Sequence, residues 1–422
     1  MTLSLARETP TVLLAGDGRR CCRIAFIGSK CLLDDAAGIA HSIRTILEQL
    51  AKTGAEASSL TASLFDADHQ CDLSSRIDTA TDRVQPARNG LVRVTRHRVQ
   101  HWVVPTANSQ ARAMTRRKSD RLFAACQAFL RAKRPSVVIS YGTGSHARRL
   151  HDAIRSSGAQ LVFYLGNAEI PPGAWFQPGD RAVSPSRFLA DHYSAILGTH
   201  VDVLYPIVSQ DRFGQNPVGA PGGSHQARFI THINPVPRKG LTMLIALAQR
   251  ALTRRPDMRF LVLEGVTTAQ ALRQASVDLT ALPNVTVAPV QKDMRSVYAR
   301  TSVLLMPSFW REGFGRAAVE AHLSGVPVLA SDHGGLPEAL AGGGCLLPVP
   351  QTCVDEPLTF PDAETVDLWW AALVSWWDHA SAYRAASELA LQAGRRFHPD
   401  KTASTACKYF QALDVACPAI PA

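Results

Sequence analysis

Short β-branched and aliphatic runs alternate with amphipathic helical patterns along most of this chain, and one Gly/Pro-rich interruption divides the alternation into two rounds. That rhythm restricts the fold more than any other feature, because strand–helix–strand repeats close into right-handed units with parallel strands. In the first round the candidate strands are RIAFIG (23–28), SLTASLF (59–65), SVVISY (136–141), QLVFYL (160–165), RAVSPS (181–186) and HVDVLY (200–205). Between the first two, Ile39, Ile43, Ile46, Leu47 and Leu50 recur at helical spacing over 38–54, and Gly54 suits the C-terminal cap. SDRLFAACQAFLRAK and SHARRLHDAIRSSG repeat the pattern.

The segment SQDRFGQNPVGAPGGSHQ (209–226) has the composition of a linker. Beyond it RFITHI, RFLVLEG, NVTVAPV, SVLLMP and VPVLAS alternate with helices expected at 240–254, 268–276, 292–300, 315–324 and 337–341. At 422 residues the chain exceeds one core. The expected organisation is a doubly wound domain over 1–210, a linker over 211–225, a second doubly wound domain over 226–395, and a closing helix and tail over 396–422 that packs back on the first domain. Trp369, Trp370, Trp376 and Trp377, in the tryptophan-rich tail, are expected in core or interdomain packing.

Charge and cysteine usage narrow the setting. Forty-five Lys and Arg against 35 Asp and Glu leave a net charge of +10. Much of the excess falls between Arg88 and Arg155, read either as a solvated helix face or as attraction to an anionic membrane surface or phosphorylated substrate. No zinc finger, RNP-type aromatic motif or helix-turn-helix accompanies it, so nucleic acid is not expected. None of the nine cysteines lies in a CxxC pair, which argues against a zinc site, and their odd count in a large chain points to reduced thiols in the cytoplasm. No apolar run approaches the ~20 residues of a membrane span, and the N-terminus is not read as a signal peptide.

The stretch REGFGRAAVEAHLSGVPVLASDHGGLPEAL (311–340) carries the chemistry. A buried strand ends in SVLLMPS, Gly313 and Gly315 allow a tight turn, and a helix follows. In doubly wound sheets ligands sit at the carboxyl ends of strands against helix N-termini, where exposed N–H groups favour phosphate. Glu312 falls on the turn and Glu320 just over one helical turn inside the helix. Two carboxylates beside a phosphate site suit hydroxyl acceptors, as in a sugar or a ribose. The plainer alternative is two acids mildly favourable to a helix dipole.

This stretch resembles the donor-binding segment of family 4 glycosyltransferases, retaining enzymes of the GT-B fold, whose E-x7-E motif matches Glu312 and Glu320. AGIAHSIRTILEQLAKTGAE, AVSPSRFLADHY, INPVPRKGLTMLIALA, FLVLEG and NVTVAPVQKDMRSVYARTSVLLMPS resemble further family segments in the family's order. The resemblance implies an α/β architecture of two Rossmann-like domains facing across a cleft, acceptor domain first and donor domain second, closed by C-terminal helices. It implies Glu320 on the ribose of a nucleoside diphosphate sugar, Glu312 on hydroxyls of the transferred sugar, and Lys239 on the diphosphate. Gly313, Phe314 and Gly315 would give backbone contacts, Arg316 would be a further phosphate ligand, and the base would lie near Pro289 and Val290.

Three positions depart from the family. Asn234 stands where an arginine usually precedes the motif lysine, with Arg238 a candidate to compensate. Ala37–Gly38 replaces a Gly-Gly pair. Gly166 and Asn167 occupy the place of a histidine near the reacting centre, with His146 a substitute from a neighbouring strand end. Gly38, His146 and Asn167 are therefore the candidates on the acceptor side.

Two other motifs compete. Gly142, Gly144 and Ala147, with Glu169 downstream, imitate a dinucleotide fingerprint but do not follow the first strand. Asp66 and Asp68 imitate a metal-binding D-x-D but lie far from the donor segment and read as a solvated turn. The expected reaction is transfer of a hexose-type sugar, without metal or other cofactor, from a UDP or GDP donor to a glycan, lipid or peptide, in the cytoplasm or at the inner membrane face. Donor binding without turnover and nucleotide-sugar epimerisation are the alternatives.

Overall fold

The computed structural model describes residues 22–35, 37–66, 72–87, 90–106, 114–171, 173, 175–214, 229–291 and 293–416. The N-terminal stretch weighed as a leader, most of the linker, and Asp68 lie outside them. The chain divides into two compact units. One comprises the residues up to Pro185, Ala190–Ile207 and the residues from Thr402 on; the other comprises Ser186–Leu189 and Val208–Lys401.

The first unit holds β1 (Arg23–Ile27), β2 (Glu56–Ala62), β3 (Arg83–Ala87), β4 (Leu91–Arg96), β5 (Val99–Val104), β6 (Val137–Ser140), β7 (Gln160–Tyr164), β8 (Arg181–Ser184) and β9 (Asp202–Val203). Among the described residues they form one sheet in the order β3-β4-β5-β2-β1-β6-β7-β8-β9. From β5 to β9 every neighbouring pair is parallel, with Ile24 of β1 opposite both Ala57 and Val137. The inner strands are buried on both faces, which is why they read as unbroken apolar runs. Helices α1 (Gly38–Lys52), α2 (Arg116–Lys133), α3 (Ser145–Ser156) and α4 (Arg187–Leu197) alternate with them. The inward stripe of α1, Ile43, Ile46, Leu47 and Leu50, joins Ile24, Phe26, Val137 and Ile139 in one core.

The basic region departs from the helical reading. RVTRHRVQHW lies in a hairpin of β4 and β5, antiparallel in register Arg96↔Val99. Its two turn residues, His97 and Arg98, have φ of 47° and 69°, the pair of left-handed conformations a two-residue hairpin requires. Neither Gly nor Asn marks that turn, so the sequence conceals it. Part of the positive charge is also neutralised within the unit. Arg96 pairs with Asp82 at 2.6 Å, Arg155 with Asp180 at 2.7 Å, and Arg149 with Asp120 at 2.6 Å while stacking on Phe123.

The second unit is a parallel sheet of β10 (Phe229–Ile233), β11 (Arg259–Leu263), β12 (Val285–Ala288), β13 (Thr301–Met306), β14 (Val328–Ser331) and β15 (Cys345–Leu347), ordered β12-β11-β10-β13-β14-β15. Its helices are α5 (Leu241–Arg254), α6 (Ala269–Gln274), α7 (Arg295–Tyr298), α8 (Arg316–Leu323), α9 (Leu336–Leu340), α10 (Gln351–Asp355), α11 (Ala363–Asp378) and α12 (Ala380–Gly394). Trp369 and Trp370 of α11 fill the core beside Leu244, Phe260 and Leu305, with Trp376 and Trp377 packed at its edge. The indole N–H of Trp369 donates to Pro348 O at 2.9 Å, so its polar handle is satisfied inside. The last helix, α13 (Pro399–Ala416), places Ala406, Cys407 and Phe410 in the first unit's core.

Candidate functional site

In the second unit strand order reverses between β10 and β13. Loops leaving the carboxyl ends of such a pair diverge to opposite sides of the sheet and open a crevice between them. Lys239 lies on the loop after β10 and Glu312 on the loop after β13.

Glycine brings the first loop close. After the 3-10 turn Pro237–Lys239, Gly240 adopts φ +83°, and a Cβ there would lie 1.9 Å from Pro307 O. Only a residue without a side chain lets this turn rest on the end of β13. The turn is then stitched to its neighbour: Phe309 N and Trp310 N both donate to Arg238 O at 2.9 Å, and the Arg238 guanidinium stacks 4.2 Å from the Trp310 ring centroid. The result is an ion pair, Lys239 Nζ to Glu312 Oε1 at 2.7 Å, with Ser308 Oγ donating to the same oxygen at 3.2 Å.

The double glycine of the 311–340 stretch has a similar use. Gly334 has φ +65°, and a Cβ on it would lie 2.8 Å from Glu312 N; on Gly335 it would lie 2.6 Å from Gly313 O. Gly335 N donates to Glu312 O at 2.7 Å. The loop after β14 thus clamps the Glu312 loop, and Ser186 Oγ, donating to Gly313 O at 2.6 Å, holds it from another side. Gly315, at φ +105°, caps α8, where a Cβ would strike Leu336. Phe314 is buried and stacks edge-on against Phe397.

Glu320 is held by other cations. It is 1 % exposed, on α8, and meets Arg316 Nη2 at 3.3 Å through Oε1. Its Oε2 receives Tyr298 Oη at 3.1 Å and Arg212 Nη2 at 3.2 Å. The structure therefore joins Lys239 to Glu312 and Arg316 to Glu320, as two separate charge groups. Asn234 is bound elsewhere: at φ +64° its Oδ1 accepts from Val266 N at 3.0 Å, so it shapes the turn after β10. That conformation favours asparagine over a long cationic side chain. Pro289 and Val290 sit exposed at the carboxyl end of the edge strand β12.

In the first unit, Gly38, His146 and Asn167 follow β1, β6 and β7, three adjacent parallel strands, and so come to the carboxyl ends of the central strands. Gly38 opens α1, and its carbonyl accepts from Ser42 Oγ. His146 is half-buried in the first turn of α3, and burial lowers its pKa. Asn167 organises a turn, Oδ1 accepting from Glu169 N at 3.1 Å and its carbonyl from the Tyr193 hydroxyl. Beside it a Cβ on Gly166 would lie 2.6 Å from Ile39 Cγ1, so α1 closes this position to any side chain. Asp66 of the D-x-D stretch is engaged by Lys30, and its N–H donates to Asp34 Oδ2 at 2.8 Å. Gly142 and Gly144 lead into α3 from a central strand.

Four participants escaped the sequence reading: Arg212, Tyr298, Ser308 and Ser186. Arg212 stood inside the presumed linker, and the others carry no spacing signal.

Residues 225–358 match the family Glycosyl transferases group 1. Along its length the chain superposes on a glycosyltransferase from Rickettsia africae, with TM-score 0.64 and 12 % identity, covering 93 % of this chain and 98 % of that one. It superposes equally on Anabaena HepE in complex with UDP and glucose, with TM-score 0.63 and 14 % identity, covering 93 % and 100 %. The fold is that of the GT-B glycosyltransferases. Among sequence relatives, the D-inositol 3-phosphate glycosyltransferase of Mycobacteroides abscessus is 30 % identical over 41 % of this chain and 42 % of its own length. That of Streptomyces avermitilis is 30 % identical over 37 % of each. The GT-B chain thus spans less than half the length of these curated relatives in the matched region.

Proposed function

We propose that this GT-B chain is a retaining glycosyltransferase that moves a hexose-type sugar from a nucleoside diphosphate to an acceptor. The observation that carries the reading is the Lys239–Glu312 pair spanning the strand-order reversal of the second unit. A cation and a carboxylate in contact there suit a ligand with an anionic half and a hydroxylated half. Lys239 would turn from Glu312 to the diphosphate as the donor enters, leaving Glu312 to accept from sugar hydroxyls. Glu320 would take the ribose, and the base would rest on Pro289 and Val290. The bound UDP and glucose of HepE support a nucleotide-sugar donor, and the names of the relatives support glycosyl transfer.

Bond cleavage develops negative charge on the leaving diphosphate. Lys239, Arg316 and the amides at the start of α8 would stabilise it without a metal. The sugar–phosphate bond breaks as the acceptor oxygen forms its bond from the same face, which keeps the anomeric configuration, and the acceptor's proton passes to a departing phosphate oxygen. Glu312 is assigned to hydroxyl binding rather than nucleophilic attack, the role that the family resemblance implies for it.

The acceptor is assigned only by class, as a glycan, lipid or peptide. Among the described residues no helix is long and apolar enough to cross a membrane. The exposed arginines at the start of α2 and on α3 leave contact with an anionic membrane surface as part of the proposal, set in the cytoplasm at the inner face.

Binding of UDP, GDP and ADP measured by thermal shift, followed by sugar transfer from the matching nucleotide sugar, tests the reading. Stabilisation by one diphosphate and loss of transfer in Glu312→Ala are expected. No shift with any of them overturns it. Donor binding without turnover on any acceptor would favour a nucleotide-sugar-binding protein, a reading favoured by the closure of position 166 by Ile39.

A further inference from the structure

The carboxylate of Glu320 is already engaged. Among the described residues three side-chain donors reach it, Arg316, Tyr298 and Arg212, at 3.1–3.3 Å. A carboxylate offers about four lone-pair sites, so a ribose diol needs one of these donors to leave. Tyr298 is fully buried and fixed by its helix. Arg212 comes from outside the sheet, on the 3-10 turn Gln210–Arg212.

That turn is fastened along the site. Met294 N donates to Asp211 O at 3.1 Å, which ties it to the loop that follows β12 and carries Pro289 and Val290. Gly214 N donates to Ser324 Oγ at 3.2 Å, and Ser324 Oγ donates in turn to Glu320 O at 2.9 Å. Arg212 is therefore placed beside Glu320 by backbone anchors on both sides. Its guanidinium is nonetheless incompletely satisfied: Nε is buried and meets no acceptor among the described residues. A buried cationic donor without an acceptor is costly, and an incoming anion relieves it. Glu320 lies four residues into α8 from Arg316, about 6 Å along the axis, so phosphate at the start of that helix would lie near this guanidinium.

We propose that Arg212 is a donor-site residue that holds the Glu320 carboxylate while the site is empty and passes to the diphosphate when ribose hydroxyls take the carboxylate. This rests on the nucleotide-sugar reading and adds to it a ligand from the segment outside the sheet. Arg212 then opposes the nucleoside half of the donor and favours the phosphate half. An arginine fork suits that exchange, because it matches carboxylate and phosphate alike.

The test compares wild type, Arg212→Ala and Arg212→Lys by calorimetry with UDP, GDP, uridine and guanosine. In Arg212→Ala the diphosphate binds roughly tenfold or more weakly, the nucleoside binds as well or better, and Arg212→Lys recovers part of the diphosphate affinity. Equal weakening of nucleoside and diphosphate, or no change in the diphosphate, overturns the proposal. Where nucleoside binding is too weak to read, the salt dependence of diphosphate binding decides: it flattens in Arg212→Ala if the guanidinium meets phosphate and is unchanged if it does not. Should Arg212→Ala lose its cooperative melt, Arg212→Gln takes its place in the same comparison. A wild-type protein that binds neither UDP nor GDP, and not ADP either, overturns the nucleotide-sugar reading itself, an outcome separate from every mutant result.

Discussion

Lys239 Nζ lies 2.7 Å from Glu312 Oε1, and the two residues belong to loops that leave the sheet on either side of its strand-order reversal. Neither loop alone makes a site. Removal of the ammonium leaves Glu312 without its 2.7 Å partner and, on the proposed function, would leave the diphosphate without that cation. Lys239→Ala is expected to lower transfer by roughly 10²–10³ in kcat, the scale of losing one preorganised donor, with Lys239→Arg intermediate. Steady-state kinetics with the matched nucleotide sugar check this, and a KM effect with kcat unchanged would assign Lys239 to binding alone.

Gly240 makes that pair possible. Gly240→Ala forces a methyl toward Pro307 O at a φ of +83°, so about 1–3 kcal/mol is lost to backbone strain before the clash is counted. Urea unfolding reads the loss. A wild-type midpoint would show that the turn moves away from β13 at little cost.

Gly166 offers a test of the closed position after β7. Gly166→Ala should destabilise the fold by about 1–3 kcal/mol through overpacking against Ile39, and Ile39→Ala should relieve it in the double mutant. A coupling energy near zero in that cycle would mean the two residues do not meet.

Acid should weaken the protein through its buried imidazoles. Burial pushes His232 and His322 down to about 4 and, aided by nearby arginines, His101 and His151 down to about 3. Unfolded, each titrates near 6.5. Between about 6.5 and 4 the unfolded chain therefore binds more protons, and stability rises with pH. Each group contributes up to about 1.4 kcal/mol per pH unit in that window. Unfolding free energies measured at pH 7, 6, 5 and 4 should fall steadily; a flat profile would mean these rings reach solvent.

The thiols divide by environment. Burial raises the Cys31 pKa to about 11 and the Cys126 pKa to about 12, so both stay protonated and unreactive in the folded state. Mass mapping after brief treatment with a thiol reagent should leave both unmodified until denaturant is added.

The sheet architecture was legible because buried parallel strands write themselves as apolar runs: RIAFI, VVIS and SVLLM each proved to be strands within a residue or two. The strands β3 to β5 were not, since half their side chains face outward as arginine, glutamine and threonine and their hairpin turns through His97–Arg98. Strand β15, three residues long, gives no period to read. Glu312, Glu320 and Lys239 stood out by motif, but their partners did not. Pairing depends on three-dimensional contacts such as Ser308 to Glu312 and Arg212 to Glu320, separated by 4 and 108 residues with no shared pattern. The role of Gly334–Gly335 followed only from the atoms they approach.

The final helix, α13, gives the first unit a late component. Ala406, Cys407 and Phe410 lie among Ile24, Phe26 and the inward face of α1, yet they are made about 380 residues after β1. On the ribosome the half synthesised first must wait, its apolar floor uncovered, until α13 has emerged. Chaperone protection of that floor during synthesis is the expected consequence of that order of events.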